Sequence, residues 1–399
     1  MNTKHIFTLI FSITCSTLLF AEDNNLISPE INADGTVTFR LYAPNANKAY
    51  VLGDCLIKGE DLSLLGDKEG KAKMEKDSLG VFSYTTDFAV EPEVYMYYFK
   101  VDNKCQRDSL NPYSTIELTK DKSILAVGGN TKADLYVQDG NLRGRVDTVS
   151  FPTGYKNSQR RMLVYLPECY NNTIDSLPVL YLFHGINGSE MVWTERGRVI
   201  QIYENLYAQK AVVPMIIVMP DCNTGEKLAK RKIRTNLFAS MINYVNHILK
   251  GEFERYFDEI TDYVEANYRV SLDPAKHAIS GMSSGARQAA NIAKTNYNDY
   301  SMVALLTPVV NKKQLPTAVA DSIPVYWIGM GKEDFFYKSQ KRYCQHFDDG
   351  GYLYLPCELE SGHTWRTWRV LYTMLIQQLF KSEPLQSIEC NENQAIRFE

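Results

Sequence analysis

The segment from His277 to Lys294 constrains the fold most, because it combines a strand, a glycine-flanked serine and a helix in one order. His277-Ala278-Ile279-Ser280 has the composition of a strand, and Ala286 to Lys294 is rich in helix-forming residues. Between them stands Gly281-Met282-Ser283-Ser284-Gly285. The two glycines permit a cramped turn that lifts a serine hydroxyl out of the backbone. This order predicts a nucleophile elbow with Ser283 as the nucleophile.

A serine hydroxyl is a weak nucleophile until a base removes its proton, so a histidine and an orienting acid must accompany Ser283. In folds with this elbow, the acid and then the histidine follow the serine in the chain. Of the six histidines, only His346 and His363 lie after Ser283. His346 falls in a predicted helix, whereas His363 falls in a loop after a predicted strand. We therefore predict His363 as the base and expect a surface or packing role for His346.

The acid is expected directly after the strand between the nucleophile and the histidine. Val325 to Met330 is the predicted strand, and Gly331-Lys332-Glu333-Asp334 follows it. We predict Asp334 as the acid, and Glu333 remains an alternative. The competing interpretation is a pair of solvated carboxylates beside Lys332.

Acyl transfer also requires backbone N–H groups that stabilise the negative charge of the tetrahedral intermediate. One predicted donor is Ser284, the residue after the nucleophile. The other is Ile186, in the loop His184-Gly185-Ile186-Asn187-Gly188 that follows the apolar run Val179 to Phe183. His184 precedes the nucleophile in the chain, so we interpret it as a residue that fixes this loop.

Two units of different type are predicted along the 399 residues. In the first, polar and apolar residues alternate with period two, which predicts a small antiparallel β-sandwich over residues 22–135. From about Val146 onward, short apolar runs alternate with helical patterns, which predicts an α/β domain with a mostly parallel sheet over residues 145–385. Residues 386–399 are a predicted C-terminal tail.

Residues 1–21 read as a signal peptide, with Lys4 ahead of the almost wholly apolar stretch Ile6 to Phe20. That stretch is shorter than the ~20 residues of a membrane span, and no comparable run follows it. We therefore expect a secreted or periplasmic protein without a membrane span. The net charge of -4 argues against nucleic acid as the main partner, because a protein that binds nucleic acid usually has a basic surface.

Of the eight cysteines, Cys15 lies in the predicted signal peptide and seven remain at scattered positions. An odd, scattered set does not indicate a disulfide framework, and none of the spacings is typical of a zinc site. We expect buried small residues, with room for one incidental bridge, and no metal.

Several motifs resemble carbohydrate esterase family 1, the esterase D-like family that includes bacterial feruloyl and acetylxylan esterases. The segment Leu180 to Trp193 resembles its oxyanion loop, and the elbow, the Gly-x-x-Asp loop and Gly362-His363-Thr364-Trp365-Arg366 resemble its other motifs. The resemblance covers roughly residues 145–382 and implies an α/β-hydrolase fold. The first unit is similar to the immunoglobulin-like early-set domains, of the CBM48 type, that are often fused ahead of such esterases.

The elbow departs from the family pattern Gly-Leu-Ser-Met-Gly-Gly at Met282, Ser284 and Ala286. Both glycines of the turn are kept, so the departure bears on the substrate more than on catalysis. Residues 221–250 form a longer region than usual, with a basic run from Lys227 to Arg234. Such a run is usually solvated surface, but near a cleft it would suit an acidic substituent on a polysaccharide.

The resemblance implies a serine carboxylic ester hydrolase that removes feruloyl or acetyl groups from xylan or arabinoxylan, without metal or organic cofactor. Its partner would be a polysaccharide or an esterified oligosaccharide. A second interpretation is an esterase of siderophore trilactones such as enterobactin. A third is a carbohydrate-binding protein with an inactive hydrolase domain. All four tryptophans lie in the hydrolase half, which argues against an aromatic sugar platform in the first unit.

Two tryptophans are predicted substrate contacts. Trp365 flanks His363, and Trp193 follows the oxyanion loop. Core packing is the alternative for each ring. A flat ring at the acyl site would stack on an aromatic acid and add almost nothing for an acetyl group, so we expect a preference for feruloyl esters.

Overall fold

The structure, a computed structural model, describes residues 26–58, 69–117, 120–137, 142–154, 158–186, 188–223, 251, 253–317, 324–381 and 390. The predicted signal peptide and the basic run from Lys227 to Arg234 lie outside these residues. Of the predicted C-terminal tail, they include 390 alone.

The first unit is built from antiparallel strands. Within the described ranges these are β1 (Glu30–Ile31), β2 (Val37–Tyr42), β3 (Ala49–Gly53), β4 (Gly70–Lys73), β5 (Glu75–Lys76), β6 (Val81–Thr85), β7 (Val94–Val101), β8 (Lys104–Gln106), β9 (Ser114–Glu117) and β10 (Lys120–Ala126). One sheet has the order β1-β2-β6-β5 and the other β4-β3-β7-β10-β9, with β8 paired to β7. The two sheets share one apolar core that includes Phe39 and Tyr97. The antiparallel character is as predicted, whereas the immunoglobulin-like assignment stays a prediction.

The second unit is built on one mixed sheet of eight strands. They are β11 (Arg145–Pro152), β12 (Gln159–Leu166), β13 (Val179–Phe183), β14 (Ile216–Pro220), β15 (His277–Met282), β16 (Met302–Leu306), β17 (Val325–Gly331) and β18 (Tyr354–Leu359). Their order is β11-β12-β14-β13-β15-β16-β17-β18. β11 and β12 are antiparallel to their neighbours, and the other strands run parallel. This confirms the predicted mostly parallel sheet.

Helices cover both faces of this sheet. The helices of the described chain are α1 (Thr131–Asp134), α2 (Val192–Glu195), α3 (Val199–Ala208), α4 (Asp258–Asn267), α5 (Ser284–Thr295), α6 (Tyr337–Gly350) and α7 (Trp365–Ile376). α3 and α7 pack in one apolar core, and α4, α5 and α6 in the other. In β13, Leu180 and Leu182 face the first core while Tyr181 faces the second, as expected for a strand buried on both sides. None of these helices, over the part of the chain that is described, is long and apolar enough to cross a membrane.

The chain passes from the first unit to the second through α1. Leu135 and Tyr136, just after this short helix, pack in the same core as α3 and α7. The amide of Asn205 in α3 donates to the carbonyl of Leu135 at 3.0 Å. The change from antiparallel to mostly parallel sheet therefore falls between β10 and β11, and the predicted domain limits themselves stay a prediction.

One disulfide joins the tail to the sheet, between Cys357 of β18 and Cys390. The remaining cysteines in the described ranges are free thiols, of which Cys55, Cys222 and Cys344 are buried. The described cysteines therefore form one bridge and no disulfide framework, whereas the expected burial fails at Cys105, which is exposed, and is partial at Cys169.

Candidate active site

Ser283 occupies a strained turn between β15 and α5. Its backbone adopts φ 54° and ψ -116°, a combination that a side-chain-bearing residue keeps only when its surroundings enforce it. The Ser283 N–H donates to the carbonyl of Leu306 at 2.9 Å, which ties the turn to β16. A Cβ atom on Gly281 would lie 2.5 Å from the carbonyl carbon of Gly285, so the turn closes only with glycine there. The serine hydroxyl is thereby held at the carboxyl end of the sheet.

The structure brings the predicted serine, histidine and acid together. His363 Nε2 lies 2.9 Å from Ser283 Oγ, and His363 Nδ1 lies 2.7 Å from Asp334 Oδ2. The Asp334 side chain has no exposed surface, and that of His363 is 12% exposed. A carboxylate accepts only, so Nδ1 donates to Asp334 and Nε2 is left to accept the serine proton. This arrangement is suited to general-base activation of a hydroxyl.

The Asp334 carboxylate is fixed from both of its oxygens. Oδ1 accepts the Phe336 N–H at 2.7 Å, and Oδ2 accepts from the Gln340 amide at 3.3 Å. The adjacent Glu333 is exposed instead. The carboxylate beside His363 is therefore that of Asp334.

Sequence reasoning missed Thr307, which follows β16 in a left-handed conformation with φ 42° and is fully buried. Its Oγ1 lies 3.2 Å from His363 Nδ1 and accepts a hydrogen bond from Trp368 Nε1 at 2.8 Å. The Trp368 indole and the imidazole also pack nearly perpendicular to each other, with ring centroids 5.1 Å apart. Thr307 thus contacts the ring nitrogen that faces Asp334, and Trp368 packs against the ring and bonds to Thr307. The signal in the sequence was the position of Thr307, directly after an apolar strand of the same sheet.

The predicted oxyanion loop passes beside the nucleophile. A Cβ on Gly185 would lie 3.3 Å from the Cβ of Ser283. The His184 ring is 1% exposed, and its Nε2 accepts the N–H of Cys222 at 2.9 Å. Nδ1 must then carry the proton of a neutral ring, and it donates to the carbonyl of Gly185 at 2.7 Å. His184 therefore fixes the loop that carries Ile186, whereas the donor roles of Ile186 and Ser284 stay predictions.

The two tryptophans predicted to contact substrate differ in burial. Trp193 has no exposed surface, and its indole N–H donates to the carbonyl of Phe183 at 3.0 Å. Its predicted contact with substrate is therefore wrong for this structure, because the ring is part of the core. Trp365 is only partly buried and packs edge-on against Trp193 and Trp368. Its contact with substrate stays a prediction.

An aromatic ring that sequence reasoning overlooked lies directly beside the imidazole. Phe335 follows Asp334 in the chain and is 63% exposed. Its ring centroid lies 4.9 Å from that of His363, and Phe336 packs against both rings. The Phe335 ring, large, apolar and exposed beside His363, is accessible to a ligand. Two adjacent phenylalanines after the acid were the signal in the sequence.

The first unit reaches the site through Glu93. This carboxylate is 3% exposed and pairs with Arg366 at 3.1 Å and Arg369 at 2.9 Å, both in α7. Burial alone would raise the pKa of Glu93, but the two guanidinium groups outweigh burial and hold this pKa below its usual value. α7 begins two residues after His363, so the sandwich is attached to the helix that follows the histidine loop.

Comparisons with known sequences find similarity to esterases. A family model described as putative esterase matches residues 154–334. An endo-1,4-beta-xylanase/feruloyl esterase from Xylanibacter ruminicola is 24% identical over 371 residues, which cover 88% of this chain and 46% of that protein. The chain thus spans about half the length of this curated relative.

Solved structures show the same fold. An enterobactin esterase from Shigella flexneri matches with a TM-score of 0.55 at 13% identity, over 86% of this chain and 93% of its own. A family-1 ferulic acid esterase from Anaeromyces mucronatus matches with a TM-score of 0.50 at 20% identity, over 61% and 93%. These likenesses confirm the α/β-hydrolase fold. The sequence matches add that the chain is similar to putative esterases and to a xylanase/feruloyl esterase, in agreement with the resemblance that its motifs carry.

Proposed function

We propose that the protein is a serine carboxylic ester hydrolase in which Ser283, His363 and Asp334 form the catalytic triad. The observation that carries this proposal is the continuous hydrogen-bonded chain from Ser283 Oγ through both nitrogens of His363 to Asp334. An assembled triad also disfavours the interpretation as a binding protein with an inactive hydrolase domain.

In the first half-reaction, Ser283 Oγ attacks the ester carbonyl carbon while His363 Nε2 takes the hydroxyl proton. Asp334 stabilises the imidazolium that forms. The negative oxygen of the tetrahedral intermediate is stabilised by the N–H groups of Ile186 and Ser284. When the intermediate collapses, His363 gives its proton to the departing alkoxide, and an acyl-Ser283 ester and a free alcohol result.

In the second half-reaction, water attacks the acyl carbonyl carbon, and His363 Nε2 takes a proton from it. Collapse of the second intermediate breaks the bond to Ser283 Oγ, and the proton returns to the serine. The carboxylic acid leaves and the free enzyme is restored. Every proton is carried by His363, so the mechanism requires no metal or organic cofactor.

For the substrate, we propose aromatic acyl esters of plant cell-wall carbohydrate, with feruloyl preferred to acetyl, hydrolysed outside the cytoplasm. The exposed ring of Phe335 beside His363 supports an aromatic acid, because flat rings gain about 0.5–1.5 kcal/mol from pairing beyond their burial. The relative from Xylanibacter ruminicola, a xylanase/feruloyl esterase, points to the same class of substrate.

A second candidate is a trilactone esterase for catecholate siderophores. The likeness to the Shigella flexneri enterobactin esterase favours it, because that match extends over 86% of the chain and so includes residues of the first unit. A catechol acid would also stack on Phe335, so the aromatic ring does not separate the two candidates.

The deciding experiment compares kcat/KM for methyl ferulate, acetylated xylose and a catecholate trilactone on one preparation, with Ser283→Ala as the blank. We expect kcat/KM for methyl ferulate to exceed that for acetylated xylose by about two- to tenfold, from the pairing energy of one ring. A preference for acetyl contradicts the feruloyl assignment, and a preference for the trilactone selects the second candidate. If none of the three esters is hydrolysed, the assignment as an esterase is contradicted.

A further inference from the structure

A crevice that no triad residue lines lies between the first strands of the sandwich and the start of α3. Its volume is about 410 Å³, which is within the ~300–1,000 Å³ of small-molecule sites. Ile27, Ile31, Leu110 and Tyr113 line it from the first unit, and Arg198 lines it from the second. None of these residues belongs to the catalytic site.

Arg198 is a buried cation without a carboxylate partner among the residues that the structure describes. The residue is 4% exposed, and its Nε–H donates to the carbonyl of Tyr136 at 2.9 Å. The guanidinium carbon lies 5.4 Å from the ring centroid of Tyr113. Burial lowers the pKa of Arg198 to about 10, which reflects the cost of an unpaired buried charge. An anion that enters the crevice would remove this cost.

The backbone of Arg198 is also held in an unusual conformation. Its φ of 52° is in the left-handed region, which residues with side chains occupy at a cost of about 1–3 kcal/mol. The surrounding structure therefore holds the Arg198 guanidinium at the crevice, although burial of its charge and its left-handed backbone both cost free energy.

The rim of the crevice is apolar and accessible. Four large apolar side chains keep between 43% and 57% of their surface exposed: Ile27, Ile31, Leu110 and Tyr113. Clustered exposed apolar surface of this kind marks binding sites more often than isolated exposed residues do. A ligand that suits both features needs an anionic end and an apolar body.

We propose that this crevice binds a small organic carboxylate with an apolar body. The carboxylate pairs with the guanidinium of Arg198, and the body lies against Leu110, Tyr113 and the neighbouring isoleucines. Guanidinium and carboxylate form charge-assisted hydrogen bonds, which are about twice as strong as neutral ones. The site is independent of the proposed esterase activity, since no triad residue contributes to it.

The test is calorimetric titration of the full mature chain with sodium 4-hydroxycinnamate, with 4-hydroxycinnamamide as a neutral ligand of the same shape and glucuronate as a sugar acid. The carboxylate is expected to bind at least about tenfold more tightly than the amide, because a hydrogen bond to a charged group contributes about 1.5–3 kcal/mol. Glucuronate, which lacks the apolar body, is expected to bind more weakly than 4-hydroxycinnamate.

Two variants locate the binding. Arg198→Gln removes the cation, and Leu110→Glu places a competing carboxylate on the rim, at a side chain that is already 43% exposed. Leu79→Glu is the matched control, because Leu79 is an exposed leucine of the same unit that does not line the crevice. Binding should weaken at least about tenfold in the two crevice variants and remain unchanged in the control.

Several results would overturn the proposal. One is an affinity of Leu110→Glu for 4-hydroxycinnamate that equals the wild-type affinity. This variant remains informative if Arg198→Gln does not fold. Binding of the same acid at the triad would survive both crevice variants as a separate isotherm, so the proposal is refuted if no isotherm is lost in either variant. If the amide binds as tightly as 4-hydroxycinnamate, the ligand charge has no role in binding. If glucuronate binds more tightly than 4-hydroxycinnamate, the ligand needs no apolar body.

Discussion

Glu93 and Arg369 form an ion pair across the two units, with Glu93 Oε1 2.9 Å from Arg369 Nη2 and each side chain 3% exposed. Glu93 directly precedes β7 of the sandwich, and Arg369 lies in α7 of the hydrolase unit. The Arg369 guanidinium also donates to the carbonyl of Arg196 at 2.7 Å. The sandwich is therefore joined to the helix that follows His363 by a buried charge pair and not by surface contacts alone.

We predict that Glu93→Gln lowers the free energy of unfolding by about 3–5 kcal/mol at pH 7, because it leaves two guanidinium groups without their buried counter-charge. Since the pKa of Glu93 is lowered by folding, its stabilisation is complete above the ordinary glutamate pKa of about 4.3 and is lost as pH falls through the lower folded value. Urea unfolding should therefore show the largest difference from wild type near neutrality and a smaller one below about pH 4.

The control for this prediction is Glu91→Gln, which changes an exposed glutamate two residues away. It should alter the free energy of unfolding by less than about 0.5 kcal/mol. A difference between Glu93→Gln and wild type that does not depend on pH would contradict the account of the ion pair.

For the acid, Asp334→Asn should lower kcat by a factor on the order of 10³–10⁴, because an amide no longer holds His363 in the tautomer that accepts the serine proton. Glu333→Gln should change kcat less than about twofold, since that side chain is exposed. Initial rates on an aryl ester measure both. Similar losses in the two variants would show that Asp334 is not the orienting acid.

Thr307 is predicted to be a positioning residue for His363. Thr307→Val keeps the branched shape but removes the hydroxyl that contacts His363 Nδ1 and accepts from Trp368, so kcat should fall about tenfold with KM little changed. Thr307→Ser keeps the hydroxyl and should retain most of the activity. If the serine variant loses as much kcat as the valine variant, the hydroxyl has no positioning role and only packing matters.

Phe335 is predicted to govern the choice of acyl group. Phe335→Ala should lower kcat/KM on methyl ferulate by about tenfold and leave that on an acetyl ester nearly unchanged. Leu353→Ala is the control, because Leu353 is similarly exposed but precedes the amino end of β18, whereas the triad lies at the carboxyl ends. If kcat/KM falls equally on both esters, Phe335 supports the fold and does not determine the choice of acyl group.

The parts of the site that follow from local patterns were accessible from the sequence. The elbow at Ser283 depends on a strand, two glycines and a helix that are contiguous in the chain, and the loop of His363 directly follows a strand. Because parallel strands share their carboxyl edge, these separate loops were expected to meet. Asp334 was preferred to Glu333, but only the observed direction of each side chain distinguishes them.

The remaining features depend on contacts between distant segments. Thr307 acts on His363 across 56 positions, and Glu93 reaches Arg369 across 276. No local pattern marks such pairs. Trp193 was misassigned for the same reason, since a tryptophan after the oxyanion loop suits either a cleft or a core until α7 is seen to pack over it. The partners Cys357 and Cys390 were likewise not predictable from spacing.

Ser283 is predicted to carry the acyl group during turnover. The most direct measurement is rapid mixing with an aryl ester, acid quenching and mass spectrometry of the intact chain and its peptides, applied to wild type, Ser283→Ala, His363→Ala and His346→Ala. We predict one acyl group on the peptide containing Ser283 in wild type and His346→Ala, and none in Ser283→Ala or His363→Ala. An acyl group on any other residue, or near wild-type turnover by Ser283→Ala, would contradict the claim.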